Sequence, residues 1–328
     1  MKPRLSTPGA AAAALLAISL CLPAAHAQEQ VLRIGFLFAK DSQLGAGAKR
    51  IAEDVAKQTA GRYRVEIYPN GTVGGEVEMI RDVQLGHLDI GFITSAAFGS
   101  IIPEMGVFDM SFLFRDAAHA HRTLDGPVGA EYLAKFKEHS MVGLAWGENG
   151  MRHMTNSKRP ITRPEDVNGL KMRVPQSPVM LSAFKAMGAD AQPLAFPALY
   201  GALQTGQFDG EENPLAVIIA THFEKVQKHL TMTGHVYSWA AVIMSPQAWG
   251  ALSEADRRVF LAAAKAGGQV SREAAAEAEA KGVEMLKQAG MQVVTSVDRA
   301  AFEKAVQPAS AESAKQFGNA VERIRAVK

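Results

Sequence analysis

The sequence predicts an α/β fold that is divided into two lobes of similar size. Three observations support this prediction: strand-like segments alternate with helical ones, one helix–glycine–strand pattern occurs twice, and the chain has 328 residues. After removal of a predicted N-terminal signal, enough chain remains for two lobes of about 150 residues each. Because helices separate most of the strands, we expect a mostly parallel sheet.

Residues 1–27 are predicted to be a cleavable secretory signal. Lys2 and Arg4 form a basic start, residues 10–24 are an apolar run, and Ala-His-Ala at 25–27 is a small-x-small cleavage site. A membrane anchor is the alternative, but the apolar run is short for a membrane span.

Composition excludes several classes of function. The single cysteine, Cys21, lies in the signal, so the remaining chain has neither disulfides nor thiol chemistry. A lipoprotein anchor is disfavoured because Leu20, just before Cys21, is bulky. The full chain has 35 Lys and Arg against 33 Asp and Glu, and without Lys2 and Arg4 the numbers are equal. This balance argues against a nucleic-acid-binding protein, which needs a basic surplus.

Strands and helices alternate along the first two thirds of the chain. The predicted strands are VLRIGFLF (31–38), YRVEIYP (63–69), LDIGFITS (88–95), MVGLAWG (141–147) and LKMRVP (170–175). The predicted helices between the first three are GAKRIAEDVAKQTAG (47–61) and GGEVEMIRDVQLG (74–86).

A short pattern recurs 120 residues apart. VQLGHLDIGF (83–92) and LQTGQFDGEE (203–212) share Gln, Gly and Asp in register, and each resembles a helix end, a glycine cap and a strand start. One interpretation is coincidence, because such junctions are common. The other is two similarly wound lobes that present the same junction to a shared cleft.

Two long elements are predicted to connect the lobes. The β-prone run 229–245 is long enough to pass from one lobe into the other, and 253–289 is predicted to be mostly helical. Gly267, Gly268 and Gly282 are the points where this helix is expected to bend. No flexible linker separates the lobes, so several chain crossings predict a hinge.

The sequence contains no recognisable catalytic constellation. HExxH, CxxC, GxSxG and Walker patterns are absent, and GAGAKR (45–50) lacks the dinucleotide-binding spacing. Glu211 and Glu212 are adjacent on a predicted strand, so their side chains point to opposite faces and cannot share one substrate. We therefore expect neither an enzyme nor a cofactor or metal site.

The remaining polar candidates suit the binding of an anion. Arg173 ends the strand LKMRVP, Arg152 follows the strand 141–147, and Asn213 precedes a proline in FDGEENP. Phe196 adds an aromatic face. The planar guanidinium of arginine matches two carboxylate oxygens and keeps its proton. From residue pattern alone, a solvated charge at the edge of a strand is the commoner role for an arginine such as Arg173.

Four ordered segments resemble a known family. YPNGTVGGEVEMIRDVQLGHLDIG, GLKMRVP, ALQTGQFDGEENP and the long C-terminal helix are similar to the DctP-type periplasmic solute-binding subunits of TRAP (tripartite ATP-independent periplasmic) transporters. The resemblance implies a two-lobed, type II-like periplasmic binding protein with a hinge. It also implies that lobe I comprises 28–150 and 239–278, and lobe II comprises 151–238 and 279–328.

The resemblance further implies which residues contact the ligand. Arg173 matches the family's selectivity arginine, Arg152 its second frequent arginine, Asn213 the amide of the DGxENP turn, and Phe196 the aromatic residue before the ALQTG helix. These assignments predict a carboxylate held bidentately by Arg173 and desolvated by lobe closure.

Four further residues are weaker candidates for the same cleft. In the loop 39–44 the chain departs from the family pattern, and which of residues 40–42 faces the ligand stays open, with Asp41 as the candidate. Ser95 is expected as a cleft neighbour. Tyr237 and Trp239 form either a wall of the binding site or packing in the hinge.

The function implied by the resemblance is capture of a small organic acid in the periplasm. A monomeric protein would deliver this acid to a permease made of a small and a large membrane subunit and driven by an ion gradient. A ligand-binding component of a sensor or of an ATP-driven importer is the alternative in the binding class. An enzyme using the same cleft is the alternative in the catalytic class.

Overall fold

The computed structural model describes residues 29–328, so the predicted signal at 1–27 lies outside the described residues. Nine strands form one sheet within this part of the chain. They are β1 (Gln30–Gly35), β2 (Tyr63–Tyr68), β3 (Ile90–Thr94), β4 (Val142–Asn156), β5 (Lys171–Val174), β6 (Asp190–Pro193), β7 (Gly210–Pro214), β8 (His229–Met244) and β9 (Gln292–Val294).

Twelve α-helices cover the sheet within residues 29–328. They are α1 (Gln43–Gln58), α2 (Glu76–Leu85), α3 (Ser95–Phe98), α4 (Ala117–Asp125), α5 (Pro127–Lys135), α6 (Pro178–Ala186), α7 (Leu199–Gln204), α8 (Leu215–Ala220), α9 (Pro246–Ala251), α10 (Glu254–Gln288), α11 (Arg299–Ala314) and α12 (Ala320–Arg325). In this part of the chain no helix combines the length and the apolarity that crossing a bilayer requires.

The strand order divides the sheet into two matching halves. The order is β2-β1-β3-β8-β4-β7-β5-β6, and β9 pairs with β8. Pairings among β1–β3 and among β5–β7 are parallel, whereas the central pairings of β3, β8, β4 and β7 are antiparallel. We call the half around β1–β3 lobe I and the half around β5–β7 lobe II. The α/β class is confirmed, with an antiparallel centre added to the predicted parallel sheet.

Two strands cross between the lobes. The predicted run 229–245 forms β8, and β4 extends the predicted strand 141–147 as far as Asn156. The register of the two strands shifts near Gly143, Gly150 and Met154. Such irregularities bend a strand and interrupt its side-chain alternation. This explains why the second half of β4 was not recognisable as a strand in the sequence.

The recurring junction is a structural repeat. Asp89 accepts a hydrogen bond from the backbone N–H of Arg33 in β1 at 2.8 Å, and Asp209 accepts one from Lys171 in β5 at 3.0 Å. The backbone carbonyl of Asp89 also accepts from Ser245, just after β8, as that of Asp209 accepts from Ser157, just after β4. The two lobes are therefore wound alike, as the second interpretation proposed, but both junctions lie at strand starts and not at the strand ends where Arg173 is found.

Helix α10 spans 35 residues and is continuous through its glycines. A Cβ on Gly268 would lie 2.1 Å from the carbonyl oxygen of Trp146, and one on Gly267 would lie 2.7 Å from that of Gly47. These glycines allow backbones to approach closely. They serve as packing contacts where the sequence suggested bends.

The hydrophobic cores follow the two halves of the sheet. The largest buried cluster surrounds β1–β3 and the lobe I part of β4 and β8, and two smaller clusters lie in lobe II. Helix α12 packs Val321 and Ile324 into the lobe I cluster, although 279–328 was expected in lobe II. The final segment of the chain therefore returns to lobe I. The other expected lobe boundaries remain a prediction.

Candidate functional site

The end of β5 holds Arg173 in a buried position. Its residue surface is only 3% exposed, and its Nε donates to the carbonyl oxygen of Leu194 at 2.8 Å. Its guanidinium carbon lies 5.9 Å from the ring centroid of Phe196. Burial lowers the pKa of Arg173 to about 10, while the carboxylate of Glu212 opposes this shift. Arg173 therefore stays charged at neutral pH in a partly desolvated site.

The two terminal nitrogens of Arg173 are not used by the fold. Among residues 29–328, neither Nη1 nor Nη2 makes a hydrogen bond. One side of the guanidinium is fixed by the backbone, and the paired donors remain available. This arrangement fits recognition of a carboxylate by two parallel hydrogen bonds.

Arg152 is engaged by a protein carboxylate. On β4, its Nε and Nη2 donate to Glu212 Oε2 and Oε1 at 2.6 and 2.7 Å, and His235 Nε2 lies 3.0 Å from the same Oε2. Burial alone would raise the pKa of Glu212, but the charge and hydrogen bonds of Arg152 lower it to about 2. Arg152, predicted as a second direct contact, thus forms a buried ion pair beside Arg173.

Asn213 and Glu211 lie on the opposite face of β7 from Glu212. Asn213 Nδ2 donates to Glu211 Oε2 at 2.5 Å, and Thr155 Oγ1 donates to Glu211 Oε1 at 2.7 Å. Burial raises the pKa of Glu211 to about 7, against these two hydrogen bonds. The two glutamates have different partners, as their adjacent strand positions predicted.

Phe196 contacts both Arg173 and lobe I. Its ring meets that of Phe38, which follows β1, edge to face at a centroid distance of 5.1 Å. A cavity of about 260 Å³ adjoins this contact, and its lining includes Leu37, Asn70 and Tyr200. The aromatic pair therefore closes the space between the strand ends of the two lobes.

Lobe I contributes a carboxylate that the sequence did not single out. Glu76, at the start of α2, accepts from Thr94 N and Oγ1 at 2.7 and 2.9 Å. Burial raises its pKa to about 7, opposed by these hydrogen bonds and by the charges of Arg152 and Arg173. Acidic residues are common in the first helical turn, so its sequence position carried no distinctive signal.

In the loop before α1, Asp41 is exposed and Ser42 is the N-cap, accepting from Gly45 N at 3.2 Å. Gln43 instead points inward and donates through Nε2 to Asn149 Oδ1 at 2.8 Å. Sequence reasoning missed Gln43. Ser95 is buried and lies 3.2 Å from Ser238, hydroxyl to hydroxyl.

Tyr237 and Trp239 have the contacts of core residues. Trp239 stacks on Phe98 at 5.3 Å and meets Trp146 edge to face at 4.9 Å. Tyr237 donates to Glu148 Oε2 at 3.0 Å, and both residues are fully buried. These contacts favour the packing interpretation over a ligand-facing wall.

The described part of the chain contains no cluster of potential metal ligands. Among residues 29–328, no group of three His, Cys, Asp or Glu side chains is arranged to hold a metal ion. The buried carboxylates near Arg173 either form an ion pair, as Glu212 does with Arg152, or accept hydrogen bonds from neutral groups, as Glu76 and Glu211 do.

Comparisons with known proteins agree on one family. The family described as "Bacterial extracellular solute-binding protein, family 7" matches residues 35–316. A solute-binding protein of Verminephrobacter eiseniae is 43% identical over 92% of this chain and 90% of its own length. The relatives are substrate-binding proteins of transporters and not enzymes, as the sequence predicted.

Two solved structures show the same fold. A TRAP periplasmic solute-binding protein from Polaromonas sp. JS666 bound to D-erythronate is 46% identical, with a TM-score of 0.90 over 92% of this chain and 99% of its own. One from Bordetella bronchispeptica, with ligand density interpreted as pantoate, is 41% identical, with a TM-score of 0.89 over 92% and 100%. The chain belongs to the family 7 extracellular solute-binding proteins, the DctP-type solute-binding proteins of TRAP transporters.

Proposed function

We propose that this protein captures a short hydroxy acid in the periplasm and delivers it to a TRAP permease made of a small and a large membrane subunit. The predicted signal at 1–27 would direct export, and the protein would act as a monomer. Binding would close the two lobes, since contacts made only in the closed state favour that state.

The observation that carries this proposal is the state of Arg173. A buried, charged guanidinium with two unused donors is costly unless an anion pairs with it. A ligand carboxylate supplies both acceptors in one plane and replaces water at Nη1 and Nη2. Phe196 and Phe38 would then exclude solvent from the ion pair.

The lobe I side of the cleft supports a hydroxy acid, and not a dicarboxylate, as the ligand. Glu76 provides acceptor oxygens near Arg173, and a ligand hydroxyl can donate to them. A second ligand carboxylate at the same place would repel an ionised Glu76. D-erythronate and pantoate, the ligands of the two similar structures, are both hydroxylated monocarboxylic acids.

A thermal-shift series tests the proposal directly. Purified protein without the signal is heated with D-erythronate, pantoate, galactonate or succinate at equal concentrations. A ligand that binds only the folded state stabilises it by RT ln(1 + [L]/Kd), so at equal concentrations the tighter ligand gives the larger rise in melting temperature. We expect the short hydroxy acids to raise it most. A larger shift with succinate would contradict the hydroxy-acid assignment, and no shift with any acid would contradict the function.

A further inference from the structure

A second contact between the lobes lies apart from the ligand-facing end of Arg173. Asp109 ends a short 3-10 helix of lobe I (Pro103–Asp109), is 0% exposed, and accepts at Oδ2 from the hydroxyl of Ser177 at 3.0 Å. Ser177, equally buried, is the N-cap of α6 in lobe II. One charge-assisted hydrogen bond thus joins the two lobes in a dry environment.

The carboxylate of Asp109 lies beside a row of buried polar groups. Gln43 donates to Asn149 at 2.8 Å, Asn149 donates to Ser238 at 3.2 Å, and Ser238 lies 3.2 Å from Ser95. The row connects the start of α1, both crossing strands and α3 to the vicinity of Asp109. Ser95, at the end of this row, also lowers the pKa of Asp109 through its hydroxyl, so the row extends to the lobe I partner of Ser177.

Burial raises the pKa of Asp109 to about 6, and the hydroxyls of Ser95 and Ser177 oppose this rise. Its Oδ1 is buried and makes no hydrogen bond with residues 29–328. Of the two hydroxyls that oppose this rise, Ser95 belongs to lobe I and Ser177 is the donor from lobe II. When the lobes separate, water would solvate both groups instead.

Ser177 belongs to the segment that carries Arg173. It follows Arg173 by four residues, and its backbone N–H donates to the carbonyl of Pro175 at 2.7 Å in the tight turn between β5 and α6. This short turn couples the position of Ser177 to the end of β5.

We propose that Asp109 and Ser177 form an interlobe latch that stabilises the closed state and positions the strand end of Arg173. The effect on ligand retention rests on the proposed function, whereas the latch itself does not require it. Neither residue contacts the guanidinium of Arg173, so both are positioning residues.

The latch predicts a specific kinetic effect. A hydrogen bond to a charged acceptor contributes about 1.5–3 kcal/mol, which corresponds to about a tenfold or larger change in the closed-state equilibrium. Because the latch stabilises the closed state, in which the ligand is enclosed, its loss should accelerate ligand release by about tenfold. Association should change little, as is usual for variants of one interface.

Two substitutions at Ser177 separate the latch from helix capping. Ser177 also accepts from Met180 N at 3.5 Å as the cap of α6. Asn and Asp both replace Ser well at an N-cap. Ser177→Asn retains a donor for Asp109, whereas Ser177→Asp removes the donor and adds a like charge. Equal melting temperatures within about 2 °C would show that capping is matched.

A cross-linking assay reports closure without any ligand. The chain after the signal contains no cysteine, so Gly71→Cys and Pro197→Cys introduce a unique pair at the cleft mouth. A Cβ on Gly71 would lie 3.7 Å from Pro197 Cγ in this structure. The rate of disulfide formation under a fixed oxidant then measures how often the lobes close. The parent and both Ser177 variants carry the same cysteine pair, so any effect of backbone strain at position 71 on the cross-linking rate is the same in all three proteins.

We expect Ser177→Asp to slow cross-linking about tenfold and Ser177→Asn to leave it within about twofold of the parent, in line with the hydrogen-bond energy above. In stopped-flow experiments, D-erythronate should leave Ser177→Asp about tenfold faster, with association unchanged. Equal cross-linking rates in the Asp and Asn variants would overturn the latch. A parent that binds no hydroxy acid would refute the proposed function, while the cross-linking rates would still decide the latch.

Discussion

The two lobes have the same winding but different chemistry at equivalent positions. Ile34 in β1 pairs with Ile90 in β3, as Met172 in β5 pairs with Gly210 in β7. Ile34 and Met172 are therefore equivalent positions of the two lobes. One residue further along β1 and β5, Gly35 of lobe I is equivalent to Arg173 of lobe II. The repeated aspartate contacts at Asp89 and Asp209 give the same alignment.

The crossing strands continue the contrast. Thr94 at the end of β3 pairs with Ala240, whereas Pro214 at the end of β7 pairs with Arg152. In the same alignment, Asn213 of lobe II corresponds to Ile93 of lobe I. Lobe II therefore carries charges and amides at positions where lobe I is apolar. If the proposed function holds, one repeated scaffold supplies both an anion-binding half and a covering half.

The largest expected effect is the loss of the buried ion pair that lobe I lacks. Arg152→Ala leaves Glu212 charged and buried without its main partner, which should lower the free energy of unfolding by about 3–5 kcal/mol. Urea denaturation measures this change. The double variant Arg152→Met/Glu212→Gln removes both charges and should lose much less. If the double variant were as unstable as the single one, the ion pair would not explain the effect.

A second prediction concerns Glu211, whose counterpart in lobe I is Gly91. Below pH 4.5 the carboxyl is protonated in both the folded and the unfolded chain. As pH rises from 4.5 to about 7, the unfolded chain loses its proton first, because burial raises the folded pKa to about 7. Wild-type stability should therefore fall relative to Glu211→Gln over this range, by up to about 3 kcal/mol.

Urea midpoints of wild type and Glu211→Gln at pH 5, 6, 7 and 8 measure this difference. Asp109 and Glu76 are present in both proteins, so their contributions to the pH dependence of stability cancel in the difference between wild type and Glu211→Gln. The amide can accept from Asn213 and donate to Thr155, whose hydroxyl can turn to Gln227 Oε1 at 3.2 Å. A difference that does not change with pH would show that Glu211 is not buried as described.

The smallest expected effect is on stability, and it concerns the glycines through which α10 contacts the two lobes. Gly268→Ala would bring a Cβ to 2.1 Å from the backbone of Trp146, whereas Gly282→Ala would meet only side chains of Leu215 and Ile219, at 3.0 Å. Gly268→Ala should cost about 1–3 kcal/mol of stability by overpacking. Gly282→Ala should be close to neutral, because alanine gains about 1 kcal/mol in helix propensity. Equal losses in thermal unfolding would contradict this asymmetry.

Much of the fold could be predicted because local patterns agreed with the final packing. Alternating apolar residues located β1, β2 and β5, and the glycine at position 86 ends α2 in the left-handed conformation as predicted. The second half of β4 was missed because its bulges break the two-residue period.

The site was only partly predictable, because its interactions connect distant segments. The pairing of Arg152 with Glu212 joins residues 60 positions apart on neighbouring strands. Glu76 reaches the cleft through a tertiary contact with Thr94, and no local pattern distinguishes it from an ordinary helix-start glutamate. Strand periodicity placed Arg173 at a strand end but left its role open, and only the family resemblance singled it out as a candidate for ligand binding.

The most direct test of the account is calorimetric titration of D-erythronate into Arg173→Lys and Arg173→Ala. Lysine keeps the charge but loses the planar pair of donors, so we expect affinity to fall about tenfold or more, and alanine should abolish measurable binding. Lys171→Ala, on the same strand and exposed, should bind like wild type. Wild-type affinity in Arg173→Lys would contradict the two-donor recognition of the ligand carboxylate.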